Sequence, residues 1–334
     1  MATVKEVAQR AGVSLGTVSN VLNRPEVVSD ALRTRVQDAI AELGFVRNES
    51  ARQLRAGVSR TIAMVVLDVA NPFFTDVIAG AEELAERHDA LVVMCNSSNS
   101  ADREARHLRR LDQQRVLGVL LTPVRDAPSA ALTEVRDHGT PVVLVDRGAA
   151  GVAAQASVAV DDVLGGRLAG EHLVGAGHRT IAYVGVAAPL RQVQDRLRGV
   201  REAVGAAGVV QVVDATAMSV RAGSQAAAQI LAGPVQDRPT AVFCANDLLA
   251  LGVLNECVRR GVRVPEELAV VGYDDIGFAA TATVPLTSVR QPRELLGRTA
   301  VELLLAQVEG RPAQQVVFEP ELVVRRSTGR RPHL

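Results

Sequence analysis

The chain has 334 residues, of which 48% are hydrophobic and 22% charged, with no net charge at neutral pH. That is enough for two or three domains with well-buried cores, and no apolar run reaches the roughly 18 residues of a membrane span. Three cysteines, Cys95, Cys244 and Cys257, lie in apolar or helical contexts and read as buried thiols of a reducing compartment, not as disulfides or metal ligands.

The charge is unevenly spread. Up to Arg60 there are nine basic residues against six acidic ones, and the rest of the chain carries the compensating acidic surplus. A mildly basic head suits a polyanion partner. Lys5 is the single lysine, so phosphate contacts must come from arginine and backbone N–H groups. The chain opens on a polar, capped helix and not on a signal-peptide-like run, which gives the expectation of a cytoplasmic protein.

Thr3 and Glu6 form a T-x-x-E capping box, so a helix begins at about Val4, with Val4, Val7, Ala8 and Ala11 on one face. Gly12 supplies a tight turn. Ser14 caps a second helix whose Val18, Val21 and Leu22 face the first. The other face, Leu15, Gly16, Thr17, Ser19 and Asn20, has no apolar partner. This is the plan of a helix-turn-helix whose second helix enters a DNA major groove. An ordinary helical hairpin within some core is the alternative. After Asn23-Arg24-Pro25, Ser29 caps a third helix carrying Leu32, Val36, Ala39, Ile40 and Leu43, which Gly44 ends. Residues 45–60 read as a linker with an inset. Asn48 is a cap for one or two helical turns over Ala51–Leu54, too short to stand alone. On its residues alone this segment is a plain tether.

From Thr61 the pattern alternates between apolar strands and amphipathic helices. Strands fall at I-A-M-V-V-L-D-V, A-L-V-V-M-C, V-L-G-V-L-L-T and P-V-V-L-V-D, then again at T-I-A-Y-V-G, V-V-Q-V-V, T-A-V-F-C-A and L-A-V-V-G-Y. Near-continuous hydrophobic runs suit parallel strands covered on both faces. Two such series imply two doubly wound subdomains with a cleft between them, and ligands bind beyond the carboxyl ends of such strands. That points to Asp68, Asn71, Asp146, Asn246 and Asp274.

From end to end the chain resembles the LacI/GalR family of bacterial transcription repressors. The resemblance rests on V-S-L-G-T-V-S-N-V-L-N at 13–23, N-E-S-A-R-Q-L-R at 48–55, N-P-F-F at 71–74, V-D-R at 145–147, G-H-R-T-I-A at 177–182, D-R-L-R-G at 195–199, A-N-D at 245–247, G-Y-D-D at 272–275 and E-L-V-V-R-R-S at 321–327. It implies an all-α helix-turn-helix head at 1–47 and a hinge helix and linker at 48–60. An α/β core of two doubly wound, periplasmic-binding-protein-like subdomains follows, one at 61–160 with 291–320, the other at 161–290 with 321–330. The implied function is a repressor that binds a pseudopalindromic operator in double-stranded DNA as a homodimer, controlled by a small-molecule effector, such as a sugar or related metabolite. No enzyme, cofactor or membrane is implied.

The resemblance also implies roles residue by residue. Leu15, Gly16 and Asn20 sit where the family reads base edges. Leu15 suits a thymine methyl and Asn20 an adenine, where many members carry arginine. Ser14, Thr17, Ser19 and Asn23 are placed to meet phosphates. Leu54 matches the leucine wedged into the minor groove, with Ala51 and Arg55 beside it, which turns the plain tether into a helix that forms on DNA. Arg196 matches an arginine holding effector hydroxyls or carboxylates, and Asp146, Asn246 and Asp274 match other polar positions. Asp68, Phe73, Phe74 and Gln192 are further candidates. Met218 stands where several members stack an aromatic ring. The tail lacks heptads, so a dimer is expected.

Two rivals share parts of this pattern. A periplasmic solute-binding protein would share the core but lack the head. An enzyme would need a P-loop, a nucleophile elbow or a G-x-G-x-x-G after a first strand, and none is present. The six histidines have no metal-ligand spacing.

Overall fold

The computed structural model describes residues 2–45, 59–125, 127–148, 155–187 and 190–328. The chain divides into two compact units, Met1–Val58 and Ser59–Leu334. The hinge candidates Asn48, Ala51, Leu54 and Arg55 lie outside the described residues.

The first unit holds α1 (Val4–Ala11), α2 (Leu15–Asn23) and α3 (Asp30–Leu43). The capping box forms, with the Thr3 N–H donating to Glu6 Oε2 at 2.7 Å and the Glu6 N–H donating to Thr3 Oγ1 at 3.3 Å. Gly12 closes α1 at φ +64°, a left-handed conformation that a Cβ would strain. Arg35 of α3 fixes this turn by donating to the Ala11 carbonyl at 2.6 Å. Ser14 caps α2 by accepting from the Thr17 N–H at 3.0 Å. Ser29 occupies the N-cap of α3, but its hydroxyl makes no capping hydrogen bond, so its local propensity is not used. Val7, Ala8, Ala11, Val18, Val21, Val36, Ala39 and Phe45 form the small core.

The second unit contains two six-stranded sheets. In sequence order its strands are β1 (Thr61–Val66), β2 (Leu91–Asn96), β3 (Gly118–Leu121), β4 (Val142–Val145), β5 (Ala156–Val160), β6 (Thr180–Val186), β7 (Val209–Ala215), β8 (Ala241–Cys244), β9 (Ala269–Asp274), β10 (Thr287–Arg290), β11 (Gln315–Phe318) and β12 (Glu321–Val323). One sheet has the order β11-β5-β4-β3-β1-β2, the other β12-β10-β9-β8-β6-β7. All pairings are parallel except β10 with β12. The chain therefore passes from the first sheet to the second after β5, returns after β10, and crosses again between β11 and β12.

The helices of this unit are α4 (Pro72–Arg87), α5 (Ala101–Gln113), α6 (Ala130–Asp137), α7 (Asp162–Gly175), α8 (Arg191–Val204), α9 (Val220–Ile230), α10 (Asp247–Arg260), α11 (Gly277–Thr281) and α12 (Arg293–Val308). α7 and α8 touch backbone to backbone. A Cβ on Gly166 would stand 2.1 Å from the Arg196 carbonyl oxygen, and one on Gly199 would stand 2.0 Å from that of Val163. α8 carries Gln192 and Arg196, both buried. No helix among the described residues is long and apolar enough to cross a membrane. Cys244 and Cys257 are buried and Cys95 half-buried, all three as free thiols.

Candidate functional site

In the first unit, the core takes Val18 and Val21 from α2, and the opposite face stays open. Ser14, Leu15, Gly16, Asn20 and Asn23 are exposed, while Thr17 and Ser19 are half-buried. Leu15 is 53% exposed, an apolar side chain that the unit's core does not claim. Thr17 Oγ1 lies 2.9 Å from Ser14 Oγ, and the Asn23 amide donates to the Ser19 carbonyl at 2.7 Å. These polar groups order the helix ends. Asn20 makes no side-chain hydrogen bond among the described residues.

In the second unit, a cavity of about 720 Å³ opens at the carboxyl ends of strands from both sheets. All ten candidates from the sequence line it: Asp68, Asn71, Phe73, Phe74, Asp146, Gln192, Arg196, Met218, Asn246 and Asp274. Asp68 follows β1, and Phe73 and Phe74 start α4. Their rings pack edge to face at 5.1 Å and serve as both cavity wall and core. Asp146 follows β4. From the second sheet, Gln192 and Arg196 come from α8, Asn246 follows β8 and Asp274 ends β9.

Arg196 is the most elaborately held of these. Nε donates to Asp162 Oδ1 at 2.8 Å and Nη1 to the Ala245 carbonyl at 2.6 Å. Its guanidinium carbon lies 3.6 Å above the Tyr273 ring centroid, a stacked cation–π arrangement that lysine could not reproduce. Asp274 Oδ1 stands 4.0 Å from Nη1. Burial opposes the charge, but the carboxylates of Asp162 and Asp274 hold Arg196 firmly protonated.

The carboxylates respond in kind. Burial, reinforced by the charge of Asp162, pushes Asp146 up to about 7, with Arg196 pulling against it. Burial pushes Asp274 to about 6, against the pull of Arg196 and the Gln291 amide, which donates to Asp274 Oδ1 at 2.7 Å. Gln192 bridges toward the first sheet, donating to the Asp146 carbonyl at 2.7 Å and to Asp146 Oδ2 at 3.1 Å. Asn246 caps α10 by accepting from the Leu249 N–H at 3.0 Å, so its capping and wall positions coincide. Asp146 Oδ1, Gln192 Oε1 and Asn246 Nδ2 are buried with no hydrogen-bond partner among the described residues. Buried polar groups are normally satisfied, so three orphans around one cavity make it the candidate ligand site.

Residues 3–48 match the family described as bacterial regulatory proteins, lacI family, and residues 171–328 match the periplasmic binding protein-like domain. The HTH-type transcriptional repressor PurR of Photobacterium profundum is 34% identical over 334 residues, covering 98% of each chain. The chain belongs to the lacI family of bacterial regulatory proteins.

Solved structures agree with this membership. The transcriptional regulator CelR in complex with cellobiose is 35% identical, with a TM-score of 0.71, covering 98% of this chain and 100% of that one. The lac repressor dimer bound to operator and the anti-inducer ONPF is 28% identical, with a TM-score of 0.83 over 98% of each chain. Within this lacI-family chain, sequence reasoning missed Asp162, Tyr273, Gln291 and Arg293. Arg293 donates to the Asp274 carbonyl, to the Asp275 carbonyl at 2.7 Å and to Asp76 Oδ2 at 2.7 Å. The paired aspartates at 161–162 and 274–275 were the available signal, since adjacent carboxylates at strand ends need compensating donors.

Proposed function

We propose that this regulator represses transcription by binding a pseudopalindromic operator as a homodimer in the cytoplasm, under control of a small molecule held in the cavity of its core. The observation that carries the reading is one chain combining an exposed, uncharged α2 face with a large polar cavity at the ends of two sheets. Under this reading Leu15, Gly16 and Asn20 meet base edges, and Ser14, Thr17, Ser19 and Asn23 order phosphate contacts. Ala51, Leu54 and Arg55 act in the minor groove. Asp68, Phe73, Phe74, Asp146, Gln192, Arg196, Met218, Asn246 and Asp274 form the effector wall. Residues 1–47 are the head, 48–60 the hinge, 61–160 with 291–320 one core subdomain, and 161–290 with 321–330 the other.

CelR is solved with cellobiose, and a relative from Enterococcus faecium with ribose. These support a metabolite of sugar size for the cavity here. Selection of bound sequences from random duplex DNA, followed by titration at several salt concentrations, tests the DNA side. A specific pseudopalindrome with steep salt dependence is expected. Equal affinity for all sequences refutes the reading. A thermal-shift screen of metabolites, with hits carried into the operator assay, tests the effector side and gives the sign of the response. Leu54→Ala should weaken operator binding by roughly 1–3 kcal/mol, the loss expected for a central contact. Affinity unchanged within about twofold removes the wedge.

A further inference from the structure

The cavity wall sets Asp68, Asp146 and Asp274 against Arg125 and Arg196, with Asp162 paired to Arg196 behind it, and of the two arginines Arg125 is exposed. Asp146, Asp162, Asp274 and Arg196 are each more than nine-tenths buried. Arg196 is already engaged by Asp162, by the Ala245 carbonyl and by the face of Tyr273. Its Nε and Nη1 are thereby engaged, which leaves Nη2 for a ligand oxygen. Asp146 makes no ion pair among the described residues, and its polar contact is with Gln192. The leftover atoms are specific in kind. Asp146 Oδ1 and Gln192 Oε1 are both acceptors, both buried and both without a donor, on side chains already bonded to each other.

Two neighbouring acceptors beside a surplus of carboxylate call for a group with several protons to donate and a positive charge. Two hydroxyls supply two protons but no charge, and leave the Asp146 carboxylate without a counter-charge. A phosphate or carboxylate at this spot adds negative charge beside Asp146, which makes no ion pair among the described residues. A protonated amine has three donors, no acceptor and the missing charge.

We propose that the molecule bound in this cavity carries a protonated amine seated against Asp146 and Gln192, on a hydroxylated body: an amino sugar or aminated polyol, not an acidic or phosphorylated one. The proposal rests on the effector reading of the cavity and narrows its ligand. Asn246 Nδ2, the orphan donor, takes a hydroxyl oxygen of the same molecule. Phe73, Phe74 and Met218 cover its apolar edges. A cavity of about 720 Å³ takes one or two sugar rings. In the empty site the buried Asp146 carboxyl, pushed up to about 7, is half protonated at neutral pH, and the ammonium replaces that proton. Asp162, Asp274 and Arg196 are the charged groups that act on it.

The test uses the full chain and matched probes: glucosamine, glucose and glucuronate, and the corresponding β-1,4-linked diglucosamine, cellobiose and cellobionate. Melting temperature is read by fluorimetry at pH 7.5, and affinity by calorimetry for any member that shifts it. The expected result is stabilisation by an amine member alone. Its affinity should peak at about pH 7.3, falling several-fold toward pH 6 as the carboxyl titrating near 7 regains its proton, and falling again above about pH 8 as the amine of the probe loses its own. Asp146→Asn, first shown to melt cooperatively, should weaken amine binding at least tenfold. A neutral or acidic member that binds as well as its amine counterpart overturns the proposal. So does amine binding unchanged in Asp146→Asn, or the absence of a shift with every member. A neutral or acidic sugar that binds and alters operator affinity would leave the effector reading standing. If no metabolite of a broad library alters operator affinity, that reading itself falls.

Discussion

Replacing Arg196 by methionine removes the guanidinium between Asp162 and Asp274 while keeping most of the buried side-chain length. The wild-type pair is 2.8 Å long and both side chains are under 10% exposed, so solvent cannot take over the lost interaction. Breaking a buried pair on one side costs about 3–5 kcal/mol, because the remaining charge is left uncompensated. A second route sets an upper bound. Asp162 can escape by taking up a proton, which at pH 7 from an ordinary value near 3.9 costs at most about 4 kcal/mol, because burial already raises its value in the wild type. That bound falls by about 1.4 kcal/mol per pH unit, leaving roughly 1.5 kcal/mol at pH 5. Urea unfolding followed by circular dichroism, with the transition of the α/β unit fitted separately from the head, measures it at both values. The expected outcome is a loss of up to about 4 kcal/mol at pH 7 that shrinks markedly at pH 5. Adding Asp162→Asn should recover much of it. A loss that is the same at pH 5 and pH 7 would mean that packing over Tyr273, and not charge, is what Arg196 contributes.

Gly199→Ala should destabilise the α/β unit by about 1–3 kcal/mol despite a helix-propensity gain of about 1 kcal/mol, since its Cβ would press on the Val163 carbonyl. Gly175→Ala, with open space around it at the end of α7, is the control and should be neutral or slightly stabilising. Asp146→Asn should flatten the pH dependence of stability. Its folded value is raised to about 7, so the native state holds a proton that the unfolded chain has lost. Wild-type stability therefore falls as pH rises from about 4 to 7 and then levels. The variant should gain on the order of 2 kcal/mol at pH 8, read from urea midpoints. Leu15→Ala should weaken operator binding in a gel-shift titration while leaving the melting of the head unchanged, because the side chain is 53% exposed. A drop in head stability would show that Leu15 serves the core.

Eight of the twelve strands were legible because a parallel sheet covered on both faces asks for unbroken apolar runs, and these stand out against the charged helices; β5, β10, β11 and β12, which flank the crossings between the sheets, were not read as strands. Burial across β3, β8 and β9 is complete, as those runs imply. Strand ends also pointed to Asp68, Asp146, Asn246 and Asp274. What the pattern could not supply is pairing between distant positions. Asp162 meets Arg196 34 residues away, and Tyr273 reaches under the same guanidinium from another strand. Nothing local to either residue announces this. Arg196 illustrates the consequence. The family position suggested an arginine that holds effector hydroxyls or carboxylates, and here its Nε already holds a carboxylate of the chain itself. Met218, by contrast, was reachable only through the resemblance, since methionine carries no signature of its own, and it lines the cavity.

Asp274 and Asp275 are neighbours with different partners, and this puts the cavity wall next to the crossings between the sheets. Asp274 borders the cavity and is held by Gln291. Asp275 accepts from Arg290 at 2.7 Å and from Arg325 at 2.5 Å. Arg290 ends β10, where the chain leaves the second sheet, and Arg325 follows β12, after it has returned. Both aspartates have positive φ, +102° and +51°, conformations that non-glycine residues adopt only where their surroundings enforce them. A ligand that draws on Asp274 therefore acts on a backbone step that Arg290, Arg325 and Arg293 hold from three sides. A conformational equilibrium shifts only by the difference in a ligand's interaction with its two states. Any such difference generated at Asp274 is one residue away from the clamp on two segments that join the sheets, so no long chain of contacts is needed to carry it there.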